Sequence, residues 1–152
     1  MKPELEMNND KVVEYLLNEI CYIIDIFPAV ISQENFECFS EIEKYFLQER
    51  ELDKLAEKMI NIVLKMACYH NFEIYYGRWY RKIKPWKLAE IINQTLKINN
   101  VYLNLLSKED KMLITIHGKT LHISVYNPPL KAIANLSMLS SAEGLFMRRS
   151  DI

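Results

Sequence analysis

The stretch TIHGKTLHIS, Thr115 to Ser124, carries His117 and His122 on either side of a glycine. Imidazoles titrate near neutral pH, so a pair flanking a phosphate can act as base and acid in ribonuclease-like chemistry, with Lys111 or Lys119 as the charge stabiliser. A second grouping, YYGRWYRKIKPWK (75–87), interleaves Arg78, Arg81, Lys82, Lys84 and Lys87 with Tyr75, Tyr76, Trp79, Tyr80 and Trp86. Such aromatics can stack unpaired bases while the cations neutralise phosphates. A third is the acidic row Glu34, Glu37 and Glu41, which Asp53 and Glu57 extend if the helices carrying them are neighbours. That row suits a basic partner, because an acidic surface speeds encounter and selects against acidic competitors. Each grouping also has an ordinary structural reading: the wet face of a sheet, a strand whose bases pair with acidic helices, and the solvated side of an amphipathic helix.

Other chemistry leaves no trace in the sequence, which contains no Walker loop, GxSxG, HExxH or GxGxxG, and no Cys–His set with zinc spacing. Cys21, Cys38 and Cys68 form no CxxC pair, and their surroundings lead us to expect buried, reduced thiols with no metal and no cofactor. The longest apolar run, CYIIDIF, is broken by Asp25 and preceded by Glu19, so neither an export signal nor a membrane span is expected, and the default address is the cytoplasm. The net charge of −1 conceals a polarity along the chain: residues 1–60 sum to −8 and residues 61–152 to +7. The halves can attract each other within one fold, or present two surfaces to different partners.

The elements that would position these groups follow from periodicity. One compact domain over residues 1–152 is expected, with a helical half over about 9–70 and an α+β half over about 72–150. From Asn9, the residues Val12, Val13, Leu16, Leu17, Ile20 and Ile24 recur at helical spacing until Pro28, which predicts a first helix. Ser32 is a candidate cap for a second, with Phe36, Phe39, Ile42 and Phe46 on one side, the three glutamates opposite, and Glu43 awkwardly near the apolar side. A third has Leu52, Leu55, Met59, Ile62, Val63 and Met66 inward. FEIYYGRWYRKIK reads as a strand or extended segment with Gly77 at a bulge or bend, and Pro85 opens a helix that stops around Asn99 and Asn100.

Beyond it, a three-stranded antiparallel meander is expected. With Gly118 and Lys119 as a two-residue turn and the glycine at positive φ, Ile116 faces Leu121, Ile114 faces Ile123 and Met112 faces Val125. With SKED (107–110) as the preceding loop, Leu105 faces Met112, Leu103 faces Ile114 and Val101 faces Ile116. The opposite, solvated face then holds Tyr102, Thr115 and His122 in one row, with His117 beside Thr120 and His122 its diagonal neighbour at about 7–8 Å. Pro128 and Pro129 lead into a short helix, and GLFMRR is a candidate final strand, so the fold class is α+β.

In overall character, and along SQENFECFSEIEKYFLQERELDKLAE (32–57) above all, the chain resembles bacterial immunity proteins of contact-dependent growth inhibition and related polymorphic toxin systems, although its near-neutral total charge departs from their more acidic members. The resemblance implies a cytosolic protein, not an enzyme, that neutralises a cognate toxin, often a nuclease, by covering its active site or substrate-binding surface. Glu34, Glu37, Glu41, Asp53 and Glu57 are then the preferred partner-binding residues. The rival surface comprises Tyr102, His117 and His122, with Arg78, Trp79 and Arg81 carrying the alternative of nucleic-acid binding.

Overall fold

The computed structural model describes residues 4–151, with side chains from Asn8 onward. In chain order the elements are α1 (Glu4–Leu16), β1 (Cys21–Asp25), a single 3₁₀ turn (Gln33–Asn35), α2 (Phe36–Phe46), α3 (Glu49–Met66), β2 (Glu73–Tyr75), β3 (Trp79–Tyr80), α4 (Pro85–Lys97), β4 (Tyr102–Ser107), β5 (Met112–His117), β6 (Ile123–Tyr126), α5 (Leu130–Ala142) and β7 (Phe146–Arg149). All strands join one antiparallel sheet in the order β3-β2-β4-β5-β6-β1-β7. The expected meander is the centre of this sheet, extended by a hairpin at one edge and by β1 and β7 at the other.

The first helix ends at Leu16, well short of Pro28. Residues Cys21–Asp25 leave the helical pattern because they complete the sheet: β1 pairs with β6 on one side and β7 on the other. The aromatic and β-branched run CYIID suits a strand filling a gap between two others. Had the helix continued, those two ladders would be lost. The segment after Asn71 is also more sharply folded than expected, since Gly77, at φ +75°, turns β2 back onto β3.

In the meander both pairings differ from expectation by two residues. Ile116 pairs with Ile123 and Ile114 with Val125, while Leu103 pairs with Ile116 and Leu105 with Ile114. Side chains alternate with a period of two, so an even slip changes neighbours without exchanging faces. Leu103, Leu105, Ile114, Ile116, Ile123 and Val125 therefore still point together into one core, joined by Ile24 and Ile74 and covered by α3, α4 and α5.

The other face is not simply solvated. Val13 and Leu16 of α1 lie against Leu106, Leu113 and Trp79, with Tyr75 and Tyr126 at the margin, forming a second small core. Trp79 Nε1 donates to Asp10 at 2.9 Å, and Asn9 donates to Glu73 at 3.0 Å, which fixes the helix on the sheet. Burying Val13 and Leu16 here stabilises the fold by about 1.5–3 kcal/mol each.

Gly118 is needed for a reason other than the one expected. The positive φ of the turn falls on Lys119, at +58°. A Cβ on Gly118 would collide with the backbone carbonyl of Ile98 and lie 2.8 Å from that of Thr95, because the turn tucks under the end of α4. The close approach is held by Gly118 N–H donating to Val101 O at 2.8 Å and Lys119 N–H to Leu96 O at 2.9 Å. Gly118→Ala is expected to destabilise the protein by about 3 kcal/mol or more, at the top of the overpacking range. Gly77→Ala, with open space around it but positive φ, costs only about 1–2 kcal/mol. Urea unfolding of the two variants checks the order.

Candidate functional site

Three surfaces gather the residues singled out by type. The first is built by α2 and the chain leading into it. Although α2 is amphipathic, none of its residues is buried. Ser32 caps the 3₁₀ turn rather than α2, makes no side-chain cap bond, and instead receives the Asn35 amide on its hydroxyl at 3.0 Å. Phe27, Val30, Ile31, Phe39 and Ile42 line an open groove of about 370 Å³ between the loop and the helix. Phe39 packs on Phe27 and Phe36, with ring centroids 5.7 and 6.5 Å apart, yet Phe36 remains 52% and Val30 59% exposed.

Glu34, Glu37 and Glu41 are exposed beside this groove, and among the described residues only Glu41 is ion-paired, to Lys44 at 3.7 Å. The other two carboxylates do not extend the row. Asp53 is turned to α4 and ion-paired with Lys97, whose ammonium holds its carboxyl below the usual range. Glu57 lies on a separate groove between Phe46, Asn61 and Glu143. The acidic surface is thus the three glutamates on the turn and α2 alone. Glu43 is half-buried on the same helix.

The second surface is the outer sheet face at the end away from α1. The register pairs Tyr102 with His117, whose ring centroids are 5.9 Å apart, and Tyr102 stacks on Tyr75 at 5.6 Å. Asn104, Thr115 and Ser124 form the next row. Tyr102, Thr115 and His122 therefore do not share a row. Continuing the ladder beyond Ile116 and Ile123 sets His117 opposite His122, with Asp25 beyond it. His122 is half-buried, and that burial pushes its pKa down, so the neutral ring is favoured. Asp25 is pushed up by burial, against the pull of the Phe27 amide and of Arg148, which it pairs with at 2.9 Å. A neutral imidazole beside a carboxylate can take up a proton. Lys111, however, sits at the far end of β5, about 20 Å of strand from His117, and cannot serve the same phosphate.

The third surface is the edge hairpin with α4. Trp79 is 8% exposed and committed to the second core, so it offers no stacking face. The exposed indole is that of Trp86, at 69%. Arg78 lies over the Tyr80 ring at 4.6 Å, and Arg81 is exposed. Lys82 and Lys84 form no ion pair with a carboxylate among the described residues.

No grouping of three or more His, Cys, Asp or Glu able to hold a metal occurs among the described residues, and no helix there is long and apolar enough to cross a membrane. The thiols are free, with Cys38 and Cys68 exposed and Cys21 half-buried, in contrast to the buried positions expected. Cys38 lines the α2 groove.

One polar cluster was not anticipated. Buried His70, just past α3, meets Asp110 at 2.6 Å through Nδ1, and Ser107 Oγ donates to the same carboxylate oxygen at 2.9 Å. Asp110 accepts from both, so Ser107 does not touch His70 and no nucleophilic triad is formed. The cluster ties the end of α3 to the β4–β5 turn. Its one local signature is the SKED spacing, in which the Asp110 amide bonds back to Ser107.

His70 and Ser107 hold the Asp110 carboxyl below its ordinary pKa. Such a group stabilises the fold above the unfolded pKa of about 3.9 and loses that contribution as pH falls through the lower folded value. Asp110→Asn is expected to lower stability at pH 7, with the deficit relative to wild type shrinking below about pH 4; urea midpoints across pH check this. Comparison with protein-family models, with curated proteins and with solved structures finds no match to this chain.

Proposed function

We propose that the protein is a cytosolic immunity protein that binds and neutralises a cognate toxin, and that the toxin docks on the α2 groove. The observation that carries this reading is a helix with an apolar face and no buried residue, placed beside exposed glutamates. An eleven-residue helix with no fully buried residue is marginal by itself, so this apolar surface serves folding poorly and suits docking. Phe36, Ile42 and Val30 supply aromatic and aliphatic anchors, while Glu34, Glu37 and Glu41 select a basic partner such as the substrate-binding surface of a nuclease. Asp53, already held by Lys97, is left out of the partner-binding set.

A toxic domain encoded next to this chain is the natural candidate. Co-expression is expected to restore growth, and calorimetry on the purified pair to give a tight one-to-one complex. Phe36→Ala and Ile42→Ala, both at exposed positions, are expected to weaken it by about 2 kcal/mol or more each. Glu37→Gln with Glu41→Gln slows association and flattens its salt dependence. Absence of association, or equal affinity for Phe36→Ala and wild type, contradicts the assignment. Loss of binding in Tyr102→Ala or His117→Ala instead transfers it to the sheet face.

A further inference from the structure

A cleft separates the β2–β3 hairpin from α4, about 570 Å³ in volume and lined by Tyr76, Tyr80, Lys82, Lys84, Trp86 and Lys87, with Ile83 and Ile91 on its walls. We propose that this cleft binds single-stranded nucleic acid, with a base stacked on Trp86 and the phosphates on the lysines.

The chemistry of the lining supports this occupant. It contains three ammonium groups and no carboxylate. The acid on α4 is Glu90, which pairs with Lys87 at 3.6 Å, and Lys82 and Lys84 have no ion pair among the described residues. An indole on the first turn of a helix would ordinarily be folded into a core, yet Trp86 is 69% exposed. Lys84 lies over its ring, 5.1 Å from the centroid, and Arg78 lies over that of Tyr80 at 4.6 Å.

Exposed cation–π pairs of this kind are worth only about 0.5–1 kcal/mol. A nucleotide strand can replace them on both sides at once: a base takes the ring face, and the displaced cation takes a phosphate. An acidic peptide would satisfy the lysines but leave the rings without a planar partner. Arg78, lying over the Tyr80 ring, adds a further cation beside the cleft, giving more cations than one phosphate requires, which favours a strand over a free nucleotide. The cleft is at the β3 edge of the sheet, whereas Phe27 of the α2 groove follows β1 near the other edge. The two surfaces are therefore separate.

The test is fluorescence anisotropy of the whole chain with a labelled ten-nucleotide oligouridylate at several salt concentrations, beside uridine monophosphate and polyglutamate as competitors. Binding is expected to quench tryptophan emission and to weaken as salt rises. Trp86→Ala, an exposed position that leaves the core intact, is expected to lose at least about fivefold in affinity, the low end for one base–ring stack. Lys82→Ala with Lys84→Ala reduces the slope of log K against log salt by about 1.4. Glu37→Gln with Glu41→Gln leaves the affinity unchanged, so this proposal can fail or stand apart from toxin binding. Undiminished binding by Trp86→Ala overturns the site, as does no binding at low salt. Polyglutamate competing as well as the oligonucleotide shows an acidic-protein patch instead, and the monophosphate competing as well shows a free-nucleotide site; either result also overturns it.

Discussion

Side chains alternate across a sheet, and in this chain both sides of the central strands carry apolar residues that must be covered. Met112, Ile114 and Ile116 of β5 face α3, α4 and α5, while Leu113 faces α1 on the reverse. A strand wet on one side would need no α1. Because Leu106 and Leu113 lie side by side in the ladder, they form a patch that Val13 and Leu16 close. The Trp79–Asp10 and Asn9–Glu73 bonds orient the helix that does so. The end of the outer face bearing Tyr102, His117 and Phe146 is left partly open.

The helical layer on the inner face is similarly ranked by what it covers. α3 packs between α4 and α5 and buries Leu52, Leu55, Ala56, Met59, Ile62, Val63 and Met66. α2 touches this layer chiefly through Phe46 and the following Leu47, which are partly buried against the core. Phe39 and Ile42 instead line a groove with the loop after β1. This leaves two kinds of exposed apolar surface: an aliphatic and phenylalanine groove edged by carboxylates, and an aromatic cleft edged by lysines. Their opposite charges follow the division of charge along the chain, with acids before residue 60 and bases after it. Among the described residues, the ion pairs of Asp25 with Arg148 and Asp53 with Lys97 join the two halves.

Much of the architecture was legible from the sequence because long-period patterns are robust to small errors. The α3 residues expected to face inward do so without exception, and Pro85 stands in the first turn of α4. The meander faces survived a two-residue slip in both hairpins, since only an odd slip exchanges them. The failures came where an element depends on distant partners. Cys21–Asp25 carries apolar residues that fit a helix or a strand, and pairing with β6 and β7 decided between them. Trp79 and Trp86 stand in similar sequence surroundings, yet contact with α1 buries the first and the second stays 69% exposed. The α2 carboxylates were legible as a row, but whether Asp53 joined them depended on Lys97, a residue on another helix. His70 and Asp110 are brought together only by the turn after β4.

The sheet with α1, α3, α4 and α5 is expected to open as one cooperative body, and α2, which has no fully buried residue, to open separately from it. Native-state amide hydrogen exchange measures this directly, because local opening and global unfolding have separate free energies. The amides of α2 from Phe39 to Lys44 are expected to exchange at least about a hundredfold faster than those of Met59 to Val63 in α3 and Leu113 to Ile116 in β5. Protection in α2 equal to that of α3 would contradict the account, placing the helix inside the cooperative core.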